Sequence, residues 1–212
     1  MESTPSTADR TRQERVLAAA LAVFGRYGFR KTSMDEVERA AGISRQGLYL
    51  YFASKEALFR AAVRQELDTA LADASRCLDE EGAALDQRVV AALDAWLGRY
   101  VGSMLASDIS GLLQNPAVQI EDMVDATIAA FDTRLAAAIA AATAETDRRR
   151  LGVTPEEIAA VAHTVGQGAR YLSSARGESR AQFVARLTPA VRLVLAGFSA
   201  VDGVQQRKRG HS

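Results

Sequence analysis

The sequence predicts an all-α fold: a small N-terminal head of three helices joined by a long helix to a larger C-terminal helical bundle, about nine helices in all. Three observations predict it. Helix formers dominate the 212 residues, alanine above all, and no convincing alternating β-run is present. Apolar residues recur at three- and four-residue spacing along most of the chain. Ser, Thr, Gly and Pro punctuate those runs where helix caps belong. With 48% hydrophobic and 25% charged residues, the composition is that of a globular protein and excludes a disordered one.

Residues 1–9 are expected to form a flexible tail. The first helix is predicted from about Thr11 to Tyr27, with Leu17, Ala20, Leu21, Phe24 and Tyr27 at helical spacing and Gly28 closing it in the left-handed conformation. Ser33 and Glu36 form a capping box that opens the second helix, which buries Val37, Ala40 and Ala41 and ends at Gly42. Ser44 caps a third helix that turns Leu48 inward and finishes near Phe52. Ser54 caps the fourth, whose apolar stripe runs through Leu58, Phe59, Ala62, Val63, Leu67, Ala70 and Leu71. That helix is too long for the head alone and is the natural lever between head and body.

Beyond the break at Glu80-Glu81-Gly82, a helix is expected from about Leu85 to Leu105, displaying Val89, Leu93, Trp96, Leu97, Tyr100 and Met104. A short segment near 109–114 stops at Asn115-Pro116, because proline pushes the residue before it out of the helical region. A long helix follows from about Val118 to Glu145, then a charged run at Asp147 to Arg150. Thr154-Pro155-Glu156-Glu157 combines an N-cap, a proline at the first helical position and a capping-box Glu, opening a helix that ends near Gly177. Ser179 with Gln182 opens the last helix, to about Ala200, and Pro189 within it should kink it. The head is placed at 10–56, the body at 57–200 and a second flexible tail at 201–212.

The net charge is zero, but it is unevenly distributed. From Met1 to Gln65 there are eleven Lys and Arg against seven Asp and Glu, while the remainder has fifteen against nineteen. A basic head on an acidic body suits local attraction to phosphate. A lone Cys77 excludes an intramolecular disulfide and is read as a small core residue. The N-terminus has no apolar signal segment, and no window approaches a membrane span, so a cytoplasmic protein with no membrane partner is expected.

Residues 32–59 carry the chemistry. Two short helices hinged at Gly42 form a helix-turn-helix, a device that places its second helix in the major groove of DNA. On that second helix Arg45 suits guanine O6 and N7, and Gln46 suits adenine N6 and N7. Gly47 is costly inside a short helix, by about 1 kcal/mol relative to Ala, and is read as allowing close approach to the groove wall. The second helix's N-terminus, at Thr32 and Ser33, presents N–H groups to a phosphate oxygen, and Ser33 also serves as a cap. Tyr51 is open between a core aromatic with a wet hydroxyl and a DNA contact.

In order, the chain shows Phe24-Gly-x-x-Gly-Phe29, Thr32-Ser33, Ala40-Ala41-Gly42-Ile43-Ser44, Leu48-Tyr49-x-Tyr51-Phe52 and Ser54-Lys55-Glu56-Ala57-Leu58-Phe59. Residues 11–59 thereby resemble the DNA-binding domain of TetR-family transcriptional regulators. The resemblance implies phosphate or base contacts at Tyr49, Leu50 and Lys55. Leu50 departs from the polar residue frequent there, leaving either a thymine methyl contact or no contribution. It also implies homodimerisation through the last two long helices, about 155–176 and 180–200, a palindromic double-stranded operator, and a small-molecule effector held by the body.

Ala159, Ala160, Gly166, Gly168 and Ala169 would let helices approach closely, either between subunits or within one. Trp96, Tyr100, Met104, Met123, Phe131 and His163 combine apolar walls with a few polar tips, as ligand pockets do, although aromatics at helical spacing ordinarily pack as core. His163 has no His or Cys at metal-ligand spacing, so neither a metal nor a cofactor is implied. Gly166-Gln167-Gly168 lies within a predicted helix rather than after a strand, and no Walker loop, nucleophile elbow or zinc-binding pair is present, which argues against an enzyme. The leading expectation is a ligand-released repressor. The alternative is a DNA binder whose body recruits a protein partner.

Overall fold

The computed structural model describes residues 7–103, 120–143 and 152–199. Eight α-helices occur among them: α1 (Thr7–Tyr27), α2 (Met34–Ala41), α3 (Arg45–Tyr51), α4 (Lys55–Leu78), α5 (Leu85–Leu97), α6 (Glu121–Ala142), α7 (Pro155–Ala175) and α8 (Arg180–Ser199). The segment at 109–114, the Asn115-Pro116 stop, the charged run at 147–150, Met104, residues 1–6 and the C-terminal tail lie outside the described residues, while residues 7–9, expected in the N-terminal tail, belong to α1. The chain packs as two compact units, one of residues 1–69 and 103–126, the other of residues 70–102 and 127–212.

In the first unit, α1, α2, α3 and the start of α4 enclose one core. Phe24, Phe29 and Phe59 are all buried, with ring centroids 5.0–5.9 Å apart and two of the three pairs edge-on. Val16, Leu17, Ala20 and Val23 from α1, Val37 from α2 and Leu48 from α3 complete it. Tyr27, expected on the inward stripe, is instead 43% exposed beneath the Arg26 guanidinium, because the chain turns away at Gly28 (φ 81°) immediately after it.

The second unit packs α7 and α8 on one another and both on α5. Gly166 is what lets α7 approach so closely: a Cβ there would stand 2.9 Å from Leu97 Cδ1 and 3.2 Å from Leu93 Cδ2. Arg180 binds Asp94 through two bonds of 2.7 and 2.9 Å, and Arg192 binds Asp86 at 2.8 Å, tying α8 to α5. Arg99 pairs with Asp73 at 2.6 Å, and the Arg88 guanidinium donates to the Leu78 carbonyl near the end of α4. The last helix continues through Pro189 without interruption.

Three helix boundaries differ from expectation, the first being the start of α1 at Thr7 rather than about Thr11. The fifth helix stops at Leu97 rather than Leu105, passes through a 3-10 turn at Gly98–Tyr100 and turns at Gly102 (φ 73°). Asp94, drawn over the helix end by Arg180, occupies the space a side chain at 98 would need, since a Cβ on Gly98 would lie 2.0 Å from Asp94 Oδ1. The sixth helix begins at Glu121 and ends at Ala142, inside the expected range.

Candidate nucleic-acid interface and candidate ligand site

The hinge of the helix-turn-helix is local chemistry. Gly42 takes φ 64°, ψ 32°, and its N–H donates to the Glu38 carbonyl at 3.0 Å. A residue with a Cβ is strained there, which is why glycine closes α2. Ile43 then anchors the turn in the core, and Ser44 Oγ accepts from Gly47 N–H at 3.2 Å to start α3.

Which side of α3 faces outward follows from Leu48, which is fully buried. At about 100° per residue, Gln46 and Leu50 fall about 160° and 200° from it, one turn apart and directed away from the core. Both are exposed, Leu50 by 81%. Tyr49 flanks this ridge on one side at 42% exposure, and Gly47 leaves the other side bare. Arg45 lies toward α2 instead. Its Nη1 donates to Asp35 Oδ1 at 2.9 Å, and its guanidinium sits 5.8 Å from the Tyr49 ring centre. For Arg45 to reach a base, that exposed ion pair must open, at a cost of about 0–1 kcal/mol. Tyr51 is half-buried beside Phe52, with ring centres 6.3 Å apart.

The turn before α2 is organised by three residues expected at phosphate. Thr32 is buried, and both its N–H and its hydroxyl donate to the Gly28 carbonyl, at 3.2 and 2.8 Å. A phosphate contact by Thr32 requires those bonds to open. Ser33 and Glu36 form the expected capping box: Glu36 N–H donates to Ser33 Oγ at 3.3 Å, while Ser33 N–H and Oγ–H donate to Glu36 Oε2 at 2.7 and 2.9 Å. The Ser33 N–H, expected to be shared with DNA, is therefore engaged. These bonds hold the Glu36 carboxyl below the usual carboxylate range. Lys55 Nζ donates to the carbonyls of Phe29 and Thr32, both at 3.1 Å, and lies 4.5 Å from the Phe29 ring centre. One of its three N–H donors remains for another partner.

In the second unit, three of the candidate ligand residues come together. The Trp96 and Phe131 rings stack at 4.9 Å, and Phe131 meets His163 edge-on at 5.2 Å. The Trp96 indole N–H donates to His163 Nε2 at 3.3 Å, so Nε2 carries a lone pair and the ring proton sits on Nδ1, facing Asp132 Oδ1 at 2.6 Å. Gln167 Nε2 lies 3.3 Å from the same Nε2. Tyr100 is half-buried in the 3-10 turn, and burial lowers the pKa of Arg170. Met123 is buried but belongs to the first unit, apart from this cluster.

Asp132 and Gln167, which contact the imidazole, carry no motif in the sequence. Asp132 is 31 residues from His163, and nothing local marks the pair. Of the small residues on α7, Ala159, Gly166 and Ala169 are buried within the subunit, whereas Ala160 and Gly168 face outward. Gly166-Gln167-Gly168 lies within α7. Among the described residues no group of three His, Cys, Asp or Glu side chains is placed to hold a metal, and no helix is long and apolar enough to cross a membrane.

Residues 16–62 match the family model of bacterial regulatory proteins of the tetR family. Those residues form a DNA-binding domain of the tetR type. The chain is 37% identical over 115 residues to the helix-turn-helix-type transcriptional regulator YfiR of Bacillus subtilis, covering 54% of this chain and 51% of YfiR. To RutR of Escherichia coli it is 42% identical over 67 residues, 32% of each chain. It thus spans about half the length of the first of these relatives and a third of the second. The fold extends further than the sequence likeness. A transcriptional regulator from Rhodococcus superposes with a TM-score of 0.66 at 21% identity, covering 87% of this chain and 96% of that one. FadR of Bacillus subtilis, solved with stearoyl-CoA, gives 0.63 at 12% identity, covering 86% and 97%. Identities this low speak for the fold alone. The family and these relatives are regulators rather than enzymes.

Proposed function

We propose that this chain is a cytoplasmic DNA-binding repressor that reads a palindromic operator as a homodimer and is released by a small, mostly apolar ligand. The observation that carries the reading is the outward ridge of α3, where Gln46, Tyr49 and Leu50 stand exposed opposite the buried Leu48 within the stretch that matches the family. Residues 10–56 do the reading. Gln46 takes a base edge, Arg45 a guanine or phosphate once released from Asp35, and Gly47 lets the groove wall approach. Tyr49, Lys55, Ser33 and Thr32 fix the register on the backbone, with Tyr51 supporting the helix from its inner flank.

Residues 57–200 dimerise and sense. Val161, Thr164, Gly168, Tyr171 and Leu172 are all exposed on α7 at helical spacing, and Leu193 on α8 is 76% exposed. Such an apolar stripe on a body held together by its opposite face suits a two-fold contact with a second copy. The effector belongs at the Trp96, Phe131 and His163 cluster, where apolar rings meet fixed polar tips. α4 contributes to both packing units, as does α6, which carries Phe131, and these are the elements through which ligand entry changes the operator affinity. A coupling of about 1–3 kcal/mol would shift occupancy about 5- to 150-fold.

Fluorescence anisotropy on the intergenic DNA flanking the chain's own gene, with competitor DNA present, tests this. The expected result is tight binding that survives competitor with two protomers per site. Binding that competitor abolishes on that and every other duplex tried would overturn the reading.

A further inference from the structure

We propose that Leu50 reads the 5-methyl group of an operator thymine, within about two base pairs of the base read by Gln46. The inference rests on the DNA-binding reading above and goes beyond it by assigning a base to a residue.

Leu50 is the most exposed large hydrophobic side chain among the described residues, at 81%. The fold has no use for it: α3 is held to the core by Leu48 and followed by Phe52, both buried. Leaving a leucine in water forgoes about 1.5–3 kcal/mol of burial, and on the outward ridge of a DNA-reading helix a base edge is the surface that can supply it. Gln46 lies one turn earlier on the same ridge, and Gly47, three residues before Leu50, has no side chain to cover it. Leu50 therefore stands proud of its helix.

The chemistry narrows that partner to one group. An isobutyl side chain has no donor for phosphate or for a base nitrogen or oxygen. The apolar feature that base edges offer in the major groove is the thymine methyl, and unmodified DNA carries it on thymine only. Four residues of helix advance about 6 Å, and base pairs are spaced about 3.4 Å, which sets the distance of about two base pairs from the Gln46 contact.

The test begins with selection from randomised duplexes by the full-length chain. A selection that enriches no sequence overturns the DNA-binding reading and this inference with it. Given an enriched site, each thymine is replaced in turn by deoxyuridine, which lacks only the methyl. Loss of one buried methyl is expected to weaken binding about 4-fold, or about 15-fold when both half-sites lose it. The loss should be confined to one symmetric position near a base whose replacement Gln46→Ala no longer senses. Leu50→Ala should show the same loss on the thymine site and no further loss on deoxyuridine, while Leu50→Met should keep the sensitivity. Because Leu50 is exposed, Leu50→Ala should melt with the wild type, which separates recognition from folding. Wild-type binding indifferent to every deoxyuridine, or a Leu50→Ala variant that remains equally sensitive, overturns the inference while leaving the DNA-binding reading intact.

Discussion

Replacing Lys55 with Met removes its ammonium while keeping a side chain of similar length. The structure assigns that ammonium to the turn between α1 and α2, through bonds of 3.1 Å to the Phe29 and Thr32 carbonyls and a position 4.5 Å from the Phe29 ring centre. A hydrogen bond from a charged group contributes about 1.5–3 kcal/mol, and a partly exposed cation over a ring about 0.5–1 kcal/mol. The site is half-buried and these contributions are not additive, so the expected loss is about 1–3 kcal/mol. For a chain of this size that lowers the melting temperature by about 2–12 °C. Circular dichroism melts of wild type and Lys55→Met, alongside anisotropy on a specific and a non-specific duplex, give the readout. Both duplexes should weaken in parallel, since a disordered turn misplaces the backbone contacts without changing the base-reading ridge. Identical melting curves combined with weaker DNA binding would refute the reasoning and make Lys55 a phosphate arm alone.

Three further perturbations have defined outcomes. Gly47→Ala gains up to about 1 kcal/mol of helix propensity, set against a Cβ 3.3 Å from Ser44 Oγ, so it should melt at or slightly above wild type while binding its operator more weakly; unchanged affinity means the bare backbone serves no groove contact. Glu36 has a carboxyl lowered from 4.5 by its bonds to Ser33, so its stabilisation is complete above pH 4.5 and is lost as pH falls through the lower folded value. The stability difference between wild type and Glu36→Gln, followed by urea melts, should hold steady from pH 7 to about 5 and shrink below, and a constant difference down to pH 3 contradicts the assignment. Gly98→Ala drives a Cβ into Asp94 Oδ1 and should cost about 1–3 kcal/mol in the wild type but much less in an Asp94→Ala background; equal costs in the two backgrounds would mean that Asp94 does not crowd position 98.

What the sequence made legible was local. The capping boxes at Ser33 with Glu36 and Thr154 with Glu157, and the Ser179 with Gln182 start, each use partners three residues apart, and all three form as the pattern implies. The Gly42 hinge and the burial of Leu48 and Phe52 follow from the same short-range logic. What escaped was long-range. The crowding of Gly98 by Asp94 at the end of α5 involves Arg180, 86 residues away. Lys55 finds its carbonyl partners 26 and 23 residues back, and Asp132 orients a histidine on another helix. Arg45 reads as an outward base contact when helix position alone is considered, and only the packing of α2 beside α3 reveals that Asp35 holds it.

The measurement that most directly tests whether the outward ridge of α3 reads sequence is the specific-to-non-specific affinity ratio of Gln46→Ala against wild type, at two salt concentrations. Losing an amide that contacts a base edge should cost about 1–3 kcal/mol per half-site on the operator. Non-specific affinity and the salt slope should be unchanged, because no phosphate contact has been removed. An unchanged ratio, or a parallel loss on both duplexes, would contradict the assignment of this ridge as the reading surface.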